Sequence, residues 1–160
     1  MVTIVLDLAP FLALTREQFL EFCRRHSDLR IERTARGEIV VMPPTGGETG
    51  NRNTILLSRL QTWTESNQGK VFDSSTGFLL PNGAQRSPDA SWIPEARWQT
   101  LSREERESFP PLCPDLVVEL LSPTDSRPAT REKMAEYAAN GARLGWLIDP
   151  RTREVEIWRA

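Results

Sequence analysis

Pro114-Asp115-Leu116-Val117-Val118-Glu119-Leu120-Leu121-Ser122-Pro123 is the stretch on which the reading of this chain turns. Residues 116–121 make an apolar run of strand length between two prolines, the pattern of a buried strand. Glu119 interrupts it. A carboxylate inside such a strand is costly unless it neutralises, pairs or binds a metal. Upstream, Ser87-Pro88-Asp89 leads into Ala90-Ser91-Trp92-Ile93, so a second acid stands at the head of another short strand. Where two such strands are neighbours, their carboxylates converge, and a divalent cation relieves the repulsion between them. A lone strand glutamate is ordinarily solvent-facing or held by an arginine, so the pair carries the signal and neither acid does so alone.

Downstream of Pro123 a polar loop leads to a predicted helix over residues 130–139, with Asn140-Gly141 as its stop. Lys133 and Tyr137 lie one turn apart on it and share a face. Residues 144–148 and 155–158 read as strands joined by the turn Asp149-Pro150-Arg151-Thr152. Upstream, residues 70–73 and 77–80 are strand-like, and the polar segment 94–111 reads as a surface excursion with a capping box at Ser102-Arg103-Glu104-Glu105. Thr15-Arg16-Glu17-Gln18 opens a first helix over residues 15–26 in the same way. His26 sits at its end, where a cation suits the helix dipole.

Residues 29–33 and 38–42 alternate as a hairpin. Glu48 begins a long helix to about residue 66, with Leu56, Leu60 and Trp63 on one face. Thr45-Gly46-Gly47 is not a phosphate loop, because no Gly-Lys-Ser/Thr follows. The order of elements predicts one mixed α/β domain over residues 1–160, with one central mixed sheet flanked by helices.

Composition narrows the function. A formal net charge of −2 gives no support for a strongly basic nucleic-acid binder. No apolar run is long enough to span a membrane, and residues 1–10 lack the basic start of a signal peptide. Cys23 and Cys113 have no metal-type spacing and read as reduced thiols of a cytoplasmic protein. His26 is the single histidine, which excludes His-rich zinc sites.

An acid, a strand-borne acid and a lysine from the next element suit metal-dependent phosphodiester hydrolysis: the acids hold the cation, and the lysine orients water or steadies the phosphate. The segments Pro88-Asp89, Pro114 to Pro123, Lys133-Met134-Ala135-Glu136-Tyr137-Ala138-Ala139-Asn140-Gly141 and Trp146-Leu147-Ile148-Asp149-Pro150, in this order, resemble the Uma-type restriction-endonuclease family, a branch of the PD-(D/E)XK nuclease superfamily.

The resemblance implies a restriction-endonuclease-like fold and a metal-dependent endonuclease acting on DNA. It implies Asp89, Glu119 and the backbone carbonyl of Leu120 as ligands of Mg²⁺ or Mn²⁺, and Glu48 as an acid that assists. The superfamily's lysine, two residues after the strand acid, is replaced here by Leu121, so Lys133 would supply the ammonium from the helix. Tyr137 is expected to pack and place Lys133, and Ser122 and Asp115 to shape the strand ends. Arg52, Arg59, Arg86, Arg127 and Arg131 are candidates for phosphate contacts if they share a face. A homodimer would suit double-strand cutting. The rival expectation is an inactive DNA-binding or protein-interaction module on the same fold, favoured by Leu121 and the mildly acidic charge.

Overall fold

The computed structural model describes residues 3–8 and 11–160, so the expectation about the first ten residues falls partly outside it. A short strand β1 (Ile4–Leu6) precedes helix α1 (Arg16–Arg25). The Thr15 hydroxyl accepts from the Gln18 N–H, and the Gln18 side chain accepts from the Thr15 N–H, which is the reciprocal cap the sequence predicts. The helix buries Phe19 against Ile31 and Ile39 of the hairpin β2 (Arg30–Arg33) and β3 (Ile39–Met42). Helix α2 (Gly47–Thr64) follows, and then strands β4 (Gly69–Asp73), β5 (Phe78–Leu79), β6 (Gln85–Arg86) and β7 (Ala90–Pro94).

The strands divide between two sheets, where the sequence predicts one. The first is antiparallel, in the order β1-β3-β2-β6-β5. Its last two strands are a short hairpin captured through the single pair Arg33 with Gln85. Pro88 then removes a backbone donor and the chain leaves this ladder. The second sheet has the order β10-β9-β8-β7-β4, with β8 (Leu116–Leu120), β9 (Leu144–Asp149) and β10 (Glu154–Arg159). It is mixed, since β8 and β9 are parallel and the other pairs antiparallel.

A parallel pair needs a crossover. Helix α5 (Arg127–Ala139) supplies it and packs on β8, β9 and β10, burying Met134 and Tyr137 against Val117 and Leu147. It starts earlier than the sequence predicts, because Ser126 caps it and Pro128 fits the first turn. It stops at Gly141, whose φ of +105° a side chain would resist. Helix α2 lies on the opposite face, over β4 and β7, with Leu56 and Leu60 against Ala90, Trp92 and Val118. The polar segment carries two short helices, α3 (Glu95–Trp98) and α4 (Arg103–Glu107), neither with a buried residue. All five residues of β8 are buried, as for a central strand covered on both faces. Among the described residues no helix is long and apolar enough to cross a membrane.

Candidate functional site

Alternation along β8 puts Val117 and Glu119 on the α5 face and Val118 on the α2 face. The Glu119 side chain is only 10% exposed. The Tyr137 hydroxyl donates to its Oε1 at 3.0 Å, and the Lys133 Nζ lies 2.8 Å from the same oxygen. Both donors reach Glu119 because they stand one turn apart on α5. The Lys133 ammonium also donates to Glu32 Oε1 at 2.8 Å. Glu32 is 2% exposed, and it takes a second bond from the Ser87 N–H at 2.9 Å and a third from Arg86 at 3.1 Å. The other side of the Arg86 guanidinium is held by Glu136. Thus one lysine bridges two buried carboxylates from different sheets.

Asp89 stands just before β7. The register that pairs Ala90 with Val118 carries it alongside the end of β8. There the Leu120 N–H donates to its Oδ2 at 2.8 Å, while Arg30 lies 3.9 Å from Oδ1. Burial raises the pKa of Asp89; the bond from Leu120 opposes this, as do the charges of Lys133 and Arg30. Burial also lifts Glu119 to about 7; Lys133 opposes it, and the charges of Asp89 and Glu32 push it further. Glu32 differs. Burial would raise it, but Lys133 and Arg86 outweigh burial and hold it below the usual range. Burial opposes the charge on Lys133, and Glu119 and Glu32 outweigh burial and raise its pKa, so it is an ammonium at neutral pH.

The donor set suits a hard divalent ion. Each carboxylate has one oxygen oriented by the protein, Oε1 of Glu119 and Oδ2 of Asp89, and a second oxygen that accepts no hydrogen bond among the described residues. Both groups are held above their usual pKa, a cost that a cation would relieve. Two acids and a carbonyl are a small set, however: among the described residues no group of three or more His, Cys, Asp or Glu is arranged to hold a metal.

Glu48 lies in the first turn of α2 with its side chain 86% exposed and paired to Arg52 at 3.4 Å. No ion pair or hydrogen bond joins it to Asp89, Glu119 or Lys133 among the described residues. Ser122 donates its N–H to Asp125, and Asp115 pairs with Arg97 at 2.6 Å while its carbonyl accepts from Arg143 and Leu144. Leu121 is 2% exposed in the apolar core. The five candidate arginines do not form one phosphate-binding set: Arg86 is buried between Glu32 and Glu136, Arg127 and Arg131 hold Glu156, Arg52 holds Glu48, and Arg59 lines a groove with Trp63 and Trp146.

Sequence reasoning missed Glu32. In the predicted hairpin it alternates with Ile31 and reads as a solvent-facing residue. Only pairing with β6, and the arrival of α5 from more than a hundred positions away, encloses it.

A mixed sheet with a crossover helix on one face and a long helix on the other makes this chain restriction-endonuclease-like in fold. It belongs to the Uma2 family, described as “Putative restriction endonuclease”, whose profile matches residues 16–160. Among solved structures it is similar to “a putative nuclease belonging to DUF820” from Anabaena variabilis, at 22% identity and a TM-score of 0.74, over 91% of this chain and 79% of that one. No curated protein matches the chain.

Proposed function

We propose that the protein is a metal-dependent endonuclease that hydrolyses DNA phosphodiester bonds, with Asp89, Glu119 and the Leu120 carbonyl holding Mg²⁺ or Mn²⁺. The observation that carries this reading is the meeting of two buried carboxylates from neighbouring strands, each with an oxygen to spare, beside a charged lysine. A divalent ion held there supplies charge stabilisation at the phosphate and makes water more acidic at neutral pH. Lys133 is a donor and not a base, because it stays protonated. Its part is to orient the attacking water or to hold a phosphate oxygen. Glu32 and Tyr137 position it: Glu32 holds the ammonium from the far side, and Tyr137 fixes the Glu119 oxygen that faces it. Glu48 takes an outer place, so its loss costs less activity than loss of Glu32. DNA as substrate rests on the family's description and on the suitability of the site for phosphodiesters.

Supercoiled plasmid incubated with the protein and Mg²⁺ or Mn²⁺ should be nicked, and Asp89→Asn and Glu119→Gln should abolish nicking. Equal cutting by wild type and both variants removes this site from catalysis. A second reading, a non-catalytic module, is favoured by one contact: Lys133 already pairs with Glu119 at 2.8 Å. It predicts no nicking by wild type and no metal binding.

A further inference from the structure

The second sheet is covered unevenly. Helix α5 spans β8, β9 and β10 on one face, whereas α2 on the other face lies over β4 and β7. Beyond the fully buried β8, the α2 side of the sheet is less covered: Leu144, Trp146 and Ile148 of β9 are half-buried, and Val155 and Ile157 of β10 are exposed. Between α2 and this less covered half lies a groove of about 730 Å³, walled by Leu60, Trp63, Trp92, Leu116 and Trp146. The apolar surface runs on beyond it. Ile157 pairs across from Trp146 and Val155 from Ile148, and both are more than half exposed. From Leu56 to Trp63, both on the groove wall, the strip is about 10 Å long at helical rise.

Three arginines edge this groove: Arg59 on α2, Arg143 before β9, and Arg159 at the end of β10. None has an ion pair or a side-chain hydrogen bond among the described residues, whereas Arg86, Arg97, Arg127 and Arg131 are each tied to a carboxylate. Asp115 also lines the groove, but Arg97 already holds it. An apolar floor with an unneutralised cationic edge asks for a ligand of the complementary kind.

We infer that this groove is a docking site for an amphipathic helix of a partner protein, one with an apolar stripe flanked by aspartate or glutamate. A helix laid beside α2 would complete the missing half of the layer and bury the strip. A second copy of this chain fits less well, because a two-fold contact through this face sets the three free arginines against three more. Single-stranded nucleic acid fits less well too. The apolar walls leave base edges without partners, and the Trp63 and Trp92 rings are packed on each other edge to face at 5.0 Å.

The test is selection of a displayed library of amphipathic helical peptides on the wild-type chain and on the Arg143→Glu/Arg159→Glu double variant. Both arginines are exposed and lie outside the Asp89–Glu119 site, so the variant should fold and keep its nicking activity. Affinities of the selected peptides are then read by fluorescence anisotropy, with a single-stranded oligonucleotide as an alternative probe. Wild type should enrich peptides with Leu, Ile or Phe at helical spacing and flanking acids, and the double variant should weaken them roughly tenfold or more and enrich flanking lysines instead. The inference is overturned by no enrichment, or by binding indifferent to the charge reversal. Oligonucleotide binding that the reversal abolishes also overturns it, and makes the groove a nucleic-acid surface.

Discussion

Glu119 is held near neutrality by its surroundings, and this has a measurable consequence in the metal-free protein. Its pKa rises from 4.5 to about 7 on folding, mainly through burial. A carboxyl raised in this way binds its proton more tightly when folded. It therefore costs nothing below the unfolded value, costs progressively more between the two values, and costs its full amount above about pH 7. The full amount is about 3 kcal/mol. Glu119→Gln keeps the shape without the charge, and Gln can still accept from Tyr137. In EDTA its melting temperature should exceed that of wild type at pH 8, with the gap closing by pH 5. A gap that does not vary with pH would show that Glu119 is not the strained group. Lys133 gives the opposite outcome. Lys133→Ala strands Glu32 and Glu119 in the interior with only Arg86 to balance them. Removing one partner of a buried ion pair costs about 3–5 kcal/mol, to be read from urea unfolding at pH 7.5. Glu119 was legible in the sequence because it interrupts an apolar run; Asp89 stands only at the head of a strand and Lys133 on an ordinary helix face, and the family resemblance singled them out. Glu32 was not legible, because its burial is made by elements distant along the chain.

At the scale of elements, the close fit of β4 to β7 rests on a residue with no side chain. A Cβ at Gly69 would lie 2.2 Å from Trp92 Nε1 and 2.5 Å from the Ile93 carbonyl oxygen, and that backbone oxygen cannot move aside. At Gly145 the nearest atom is Met134 Cε, 2.5 Å away at the flexible end of a side chain. Gly69→Ala should therefore destabilise by about 3 kcal/mol, and Gly145→Ala by clearly less; denaturant midpoints decide the order. Helices announced by caps were legible: Thr15 to Gln18 and Ser102 to Glu105 each form the expected reciprocal pair. The strands β8, β9 and β10 were legible from apolar runs and alternation. The separation into two sheets was not. It depends on the two-residue strand β6 finding β2, and Gln85-Arg86 carries no apolar pattern that could disclose a strand.

At the scale of the whole molecule, the charged network is the polar join between the two sheets, beside the apolar contact of Phe78 with Phe72. Glu32 and Arg86 belong to the first sheet, Glu119 to the second, and Lys133, Glu136 and Tyr137 to the helix that packs on it. A site built across a join is placed by both sheets at once, so loosening the join should loosen one sheet before the other. Arg86→Leu is expected to speed amide exchange in β2 and β3 well before β8 and β9, measured by hydrogen–deuterium exchange. Uniform acceleration across both sheets would mean that the network does not join them in this way. Double-strand cutting would require two such sites, which a homodimer would supply through a face other than the arginine-edged groove.

On the function proposed here, Asp89 and Glu119 together hold a divalent cation. Titration of the metal-stripped protein with Mn²⁺, followed by electron paramagnetic resonance of the free ion, tests it most directly. The expected result is one ion bound per chain, with the site lost in both Asp89→Asn and Glu119→Gln. No bound Mn²⁺ at millimolar concentration, or equal binding by wild type and the two variants, would contradict it.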